Sequence, residues 1–266
     1  MNYNENSTVN FDSVPYLFND DVEVNSVDLI DCKRQELEFK TGFEIAKLVK
    51  NQYEESPKIF LFDGSLIFWH LEAKDLQTKD TFLGKYLSIL NQFYKEDLLI
   101  AGYISLPKSK ELVNLLRVQL CNFDMTNVSQ IKVIENLVDA QIVNFYLNKY
   151  ERTIIFKNHS KIVATYPNHL HPHFFYLDVG SEIARIEVPA WIAKDEAKIK
   201  LITQIIIDQS IKGFGYPISL AEAHEQAVIK NADRELFYEI IKKLSVKYKQ
   251  NFFVSQKSLK KKKIGI

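Results

Sequence analysis

Three acidic side chains stand where an apolar run gives way to a turn or a helix, and such positions let a carboxylate do chemistry. Asp63 closes the run Ile59-Phe60-Leu61-Phe62 and opens the turn Asp63-Gly64-Ser65. A carboxylate there leaves a rigid strand at the rim of a sheet, where sites in α/β proteins form. The plain alternative is a hairpin turn, since Asp and Gly are ordinary turn residues. Glu111 follows the apolar run Leu98 to Leu106 and its stop at Pro107. It reads either as a functional acid or as a favourable charge in the first turn of a helix. Asp139 interrupts an apolar stripe beside Val138 and Ile142. It is either an inward acid or a boundary residue on the solvated face that carries Glu135. Carboxylates that converge can hold hard divalent cations for phosphodiester hydrolysis, because such cations prefer oxygen ligands.

Two further segments carry suitable residue types. In Gly213-Phe-Gly-Tyr216-Pro217-Ile-Ser-Leu220-Ala-Glu-Ala-His224 a Gly-rich loop places Tyr216 beside a helix N-terminus, a natural place for an anion. His224 falls in the second turn of that helix, where it can ligate a metal or move a proton; a buried Tyr and a core His are the bland counterpart. On the strand Arg185-Ile-Glu187-Val-Pro-Ala-Trp191, Ile183, Arg185 and Glu187 share one face and Ala184, Ile186 and Val188 the other. Arg185 and Glu187 are expected as a structural ion pair, with phosphate contact by Arg185 as the functional alternative. His169-Leu-His171-Pro-His173 puts three imidazoles on one side if extended, which is the ligand count of a catalytic zinc site; Pro167 and Pro172 argue instead for a surface loop.

The elements that must position these groups follow from the spacing of apolar residues. Residues 1–26 read as a polar, acidic lead-in and 27–55 as an amphipathic helix. Strands are expected over 59–62, Leu66 to His70, Leu98 to Leu106, Arg152–Lys157, Ile162–Thr165, Phe174–Val179 and Ile183–Val188. Helices are expected over 78–96, Lys108 to Leu120, Ile131 to Tyr150, Asp195 to Lys212 with Gly213 as stop, from a capping box at Ser219-Leu-Ala-Glu222 through Lys230, and over 233–250. The class is α/β, with a mixed β-sheet flanked by helices. The chain divides into a lead-in and helical segment over 1–54, a main domain over 55–240, and a basic helix end and tail over 241–266.

Composition narrows the function classes. The 266 residues carry 34 Lys+Arg against 34 Asp+Glu, a net charge of zero at pH 7. That excludes a histone-like protein that grips nucleic acid by bulk charge. The zero is a cancellation between ends: residues 1–40 hold nine acids, and residues 240–266 hold nine Lys and no acid. Two Cys match no metal or redox spacing. With no secretory signal and no apolar stretch near the roughly 20 residues that span a bilayer, a cytoplasmic protein without membrane contact is expected.

Taken together, Phe62-Asp63-Gly-Ser65, Ala101-Gly-Tyr103-Ile-Ser-Leu-Pro107, Val138-Asp139, Ala184-Arg-Ile-Glu187-Val-Pro-Ala-Trp191, and Gly215-Tyr216-Pro217 through Ala223-His224-Glu-Gln-Ala227 resemble the NurA nuclease family, over about residues 55–240 and in the family's order. The resemblance implies a ribonuclease-H-like core and a metal-dependent DNA nuclease of the single-strand endonuclease and 5'-3' exonuclease type, processing ends in double-strand break repair. It implies manganese, with magnesium as the alternative, as two ions held by Asp63, Glu111, Asp139 and His224. Those four and Tyr216 would form the catalytic set. It also implies a homodimer that works with a HerA-like hexameric ATPase. The competing class is a DNA-binding or scaffold protein that keeps this fold and cleaves nothing.

Overall fold

In a computed structural model the described residues are 26–247, apart from 54–55, 73, 75, 125–126, 128–130 and 229–230. The acidic lead-in and the lysine-rich end from residue 248 on lie outside them. The chain opens with α1 (Ser26–Gln52), whose Cys32, Phe39, Phe43 and Ala46 recur at helical spacing and face inward. Then come β1 (Ile59–Asp63), a 3-10 turn at Trp69–Leu71, α2 (Leu76–Lys95) and β2 (Leu99–Ile104). After α3 (Glu111–Leu120) and the short α4 (Asp139–Val143), strands β3 (Phe156–Lys157), β4 (Pro172–Asp178) and β5 (Ile183–Pro189) complete the sheet. Four helices end the described chain: α5 (Ala190–Ala193), α6 (Glu196–Lys212), α7 (Ile218–Ala227) and α8 (Asn231–Lys247).

The sheet is mixed, in the order β1-β2-β5-β4-β3, and the α/β class expected from the sequence is the one observed. β1 and β2 run parallel, joined by a crossover through α2, and the other pairs are antiparallel. Residues paired across strands share a face, and neighbours along a strand do not. The register therefore puts Phe62, Gly102, Glu187 and Phe174 on one face, together with Arg185 and Tyr176. Asp63, Tyr103, Ile186 and Phe175 lie on the other. The first face is closed at β1 by α1 and α2, where the Phe39 ring meets Phe62 at 4.4 Å and Tyr86 at 4.7 Å between centroids. At β4 and β5 the same face is closed by Val143, Leu112 and Leu147, packed on Phe174, Tyr176 and Ile183. α6 packs against β2 and buries Ile199, Ile202 and Ile206.

Five expected elements turn out differently. Arg152–Lys157 is a strand only over Phe156–Lys157, with an isolated bridge from Arg152 to Leu177. Leu66 to His70 is not a strand, because the turn after β1 folds over β2. Gly102 permits this: a Cβ there would meet the Gly64 carbonyl at 2.5 Å. Ser65 Oγ accepts from the Ile67 N–H at 3.0 Å and from Trp69 Nε1 at 3.1 Å, local bonds that compete with a ladder. Ile131 to Tyr150 is helical only over Asp139–Val143. The break comes at Val138, which is extended (φ −110, ψ 158), where the Asp139 N–H turns away to the Ser109 carbonyl at 2.9 Å. Ile162–Thr165 is a 3-10 helix, in which the neighbours Ile162 and Val163 are both buried and no alternation exists. The capping box at Ser219 is not formed, since the N-cap of α7 falls two residues earlier, at Pro217.

Candidate functional site

Asp63 ends β1 as an exposed carboxylate, directly across from Tyr103 on β2. Tyr216 reaches it from the loop between α6 and α7 and donates its hydroxyl to Asp63 Oδ1 at 2.9 Å. The Tyr216 ring rests edge-on against Tyr103 at 5.4 Å between centroids, with an interplanar angle of 88°. Tyr103 is itself buried and donates to Glu182 Oε1 at 2.9 Å, while Ser105 Oγ donates to Glu182 Oε2 at 2.8 Å. One turn residue further back, Ser181 Oγ donates to the Gly215 carbonyl at 2.7 Å. Gly215 has φ +117 and would drive a Cβ to 2.7 Å from Ser181 Oγ, so glycine is what lets the loop sit on the turn. The turn between β4 and β5 thereby fixes Tyr216 twice, through the loop backbone and through Tyr103.

The electrostatics keep the phenol a donor. Burial, the hydrogen bond to Asp63 and the charges of Asp63 and Glu182 all push Tyr216 above the usual tyrosine range. Burial and Glu182 do the same to Tyr103. Glu38 on α1 also senses Asp63: burial raises its carboxyl, Arg34 pulls it down, and the charge of Asp63 raises it again. Asp63 Oδ2 has no partner among the described residues, so the rim presents one carboxylate oxygen outward.

Behind this rim, on the opposite face of the sheet, lies a buried ion network. The Arg185 side chain is 3% exposed, and its guanidinium stacks 3.8 Å from the Phe174 ring centroid. Its Nε donates to Glu187 Oε1 at 2.9 Å, its Nη2 to Glu111 Oε1 at 3.0 Å, and its Nη1 to Glu111 Oε2. Burial alone would lower the Arg185 pKa, but Glu187 and Glu111 outweigh it and hold the group charged above its ordinary value. Glu187 Oε2 accepts from Ser65 Oγ at 2.7 Å and from the Leu66 N–H at 2.9 Å, which pins the turn after Asp63. Asn158 Nδ2 adds a donor to Glu111 Oε1 at 2.9 Å. Asp139 is 0% exposed. Its Oδ1 accepts from the Val113 N–H at 2.9 Å, satisfying an orphan donor in the first turn of α3, and its Oδ2 accepts from Tyr176 Oη at 2.8 Å.

The structure thus brings Asp63 and Tyr216 together and places Glu111 and Asp139 beyond the sheet from them. Glu111 faces Arg185, and Asp139 faces Tyr176 and the backbone of α3. His224 stands exposed on α7, the helix that packs against β1, with no hydrogen bond to any of the three acids among the described residues. Arg185 forms the ion pair expected with Glu187, and all three of its nitrogens point at carboxylates. The three histidines of 169–173 do not meet: His169 Nε2 pairs with Asn91 Oδ1 at 2.8 Å, and only His171 and His173 touch. Among the described residues no three His, Cys, Asp or Glu side chains gather as a group able to hold a metal. In donor chemistry the acids suit a hard cation such as manganese. In arrangement the outward oxygen of Asp63 fits one, whereas the oxygens of Glu111 and Asp139 are taken up by Arg185, Asn158, Val113 and Tyr176.

Sequence reasoning passed over Ser181, Glu182 and Glu38. Gly180-Ser181-Glu182 reads as any hairpin turn, and only the register that sets it beside Tyr103 reveals its role.

The family model described as the NurA domain matches residues 8–229. No curated protein and no solved structure matches the chain.

Proposed function

The chain belongs to the NurA family, and from that premise we propose that it is a metal-dependent DNA nuclease with Asp63 as its central carboxylate. The family is one of nucleases involved in DNA end processing. The observation that carries the assignment to this rim is the outward Asp63 carboxylate at the end of β1, oriented by Tyr216 at 2.9 Å. A divalent cation, manganese or magnesium, supplies Lewis acidity and an activated water where it is bound. The chain's own residues do the rest. Tyr216 holds Asp63 Oδ1 and leaves Oδ2 outward; Tyr103 and Glu182 hold Tyr216; Glu187 holds the Ser65 turn in place. Single-strand endonuclease and 5'-3' exonuclease action, a homodimer and a HerA-like hexameric ATPase partner belong to the same proposal and rest on the family alone. No helix of the described residues is long and apolar enough to cross a membrane.

Cleavage of a labelled single-stranded oligonucleotide tests this reading. The purified protein is expected to degrade it with manganese present, to stop on chelation, and to resume when manganese is restored. Degradation that ignores the chelator defeats the metal dependence. Manganese titration of Glu111→Gln, Asp139→Asn and His224→Ala shows which of these joins Asp63 in holding the ion. Tyr216→Phe removes only the hydroxyl that orients Asp63. It is expected to lower the cleavage rate about 10–100-fold, the range for groups that orient a metal ligand, with the melting temperature unchanged.

A second reading, a DNA-binding or scaffold protein that cleaves nothing, is favoured by one fact: no three-ligand group exists among the described residues. Retained DNA binding with no cleavage under any divalent cation would select it.

A further inference from the structure

The end of the sheet formed by β3 and β4 carries a cluster of basic groups that plays no part in the rim site. His171 and His173 flank the start of β4, and their rings meet edge to face at 5.9 Å between centroids. His171 Nδ1 lies 3.3 Å from the Pro172 carbonyl and His173 Nδ1 lies 3.0 Å from the His171 carbonyl. A carbonyl only accepts, so Nδ1 carries the hydrogen in both rings and Nε2 is the atom that gains a proton on acidification. Lys157 on β3 stands directly across from His173 in the register. Lys157 and His159 act on both rings, and Lys194, at the end of α5, acts on His173. Lys157, His159 and Lys194 are exposed, and the two rings are half-buried.

We propose that His159, His171 and His173, with Lys157 and Lys194, form a second contact surface for the phosphate backbone of a nucleic-acid strand, around β3 and β4 at the opposite end of the sheet order from the strand that carries Asp63. Ammonium groups beside the imidazoles repel a metal ion and attract an anion. The five groups come from β3, the residues just after it, the start of β4 and the end of α5, a spread that suits a polymer with regularly repeated charge better than a single phosphate. The surface rests on the reading of the chain as a DNA nuclease, for which it holds the strand without cutting it.

The surface is also sensitive to pH. Burial first, and then the neighbouring lysines and histidines, hold His171 and His173 below the ordinary imidazole value, against the opposing pull of the backbone carbonyls. Both rings are therefore neutral at neutral pH, where the lysines act alone. They add positive charge as the pH falls below that ordinary value, and strand binding tightens in that direction.

The test is the binding of a labelled single-stranded oligonucleotide, followed by fluorescence anisotropy over a salt series. Chelator is present and the chain carries Asp63→Asn, so that neither cleavage nor a bound metal contributes. Going from about pH 7.5 to about pH 5.5, the slope of log affinity against log salt is expected to steepen, with His171 and His173 together contributing at most about 1.4, the value for two more neutralised phosphates on a single strand. His171→Gln with His173→Gln should reduce that steepening and leave the slope at the higher pH unchanged. Lys157→Gln with Lys194→Gln, at two exposed positions, should flatten the slope at both pH values by a similar amount of about 1.4. Equal slopes in the parent and in both double variants would overturn the surface. That failure leaves manganese-dependent cleavage untouched, so it is distinct from a failure of the nuclease reading.

Discussion

Asp63→Asn is expected to reduce cleavage of single-stranded DNA by about 10³-fold while the melting temperature stays within the error of the parent's. The substitution keeps the shape and the acceptor that Tyr216 uses at 2.9 Å, and removes the negative charge. Charge stabilisation by a held cation is worth several kcal/mol in the transition state, and about 4 kcal/mol corresponds to about three decades in rate. Folding loses little, because Asp63 is exposed and the side-chain hydrogen bond from Tyr216 survives in the amide. The measurement pairs initial rates under saturating manganese with a thermal melt. A fall in rate accompanied by a fall in melting temperature points to structural damage; an unchanged rate removes Asp63 from the site.

Arg185→Met carries the largest expected loss of stability. It leaves Glu187, 1% exposed, as a buried carboxylate served by Ser65 and Leu66 among the described residues, and strips Glu111 of both its guanidinium contacts. Breaking a buried ion pair by removing one partner costs about 3–5 kcal/mol. Total stability for a domain is about 5–15 kcal/mol, so the variant is expected to melt roughly 10 °C lower and to unfold at clearly lower denaturant. Adding Glu187→Gln to Arg185→Met tests the cause. The amide keeps an acceptor for the Leu66 N–H and sheds the stranded charge, so the double variant should regain part of the loss. If the double variant is less stable than Arg185→Met alone, the cost lies in packing against Phe174 and not in the uncompensated charge.

Much of the architecture was legible because its signals are local. The apolar run 59–62 and the clean alternation of 183–188 predicted β1 and β5 to within a residue or two, and Asp195 with Gly213 bounded α6 as N-cap and C-cap. The misses share one cause. Ile131 to Tyr150 has helical periodicity, yet the Asp139 N–H is spent on the Ser109 carbonyl and its side chain on capping α3, a demand set by a segment some 26 residues away. Ile162–Thr165 is apolar like a strand but packs as a 3-10 turn, since both Ile162 and Val163 find burial without a neighbouring strand.

The sequence by itself determined the α/β class, the NurA motifs, the carboxylate at the rim and the pairing of Arg185 with Glu187, because each depends on residue order within one element. Only the tertiary structure decided which groups meet. Alternation along the strands, combined with the register between them, sends Asp63 to one face of the sheet and Arg185, with its partner Glu111, to the other. It also brings Tyr216 across 153 positions to orient Asp63, and makes Asp139 the cap of a helix. A register is a property of two strands at once, and no spacing within one of them contains it.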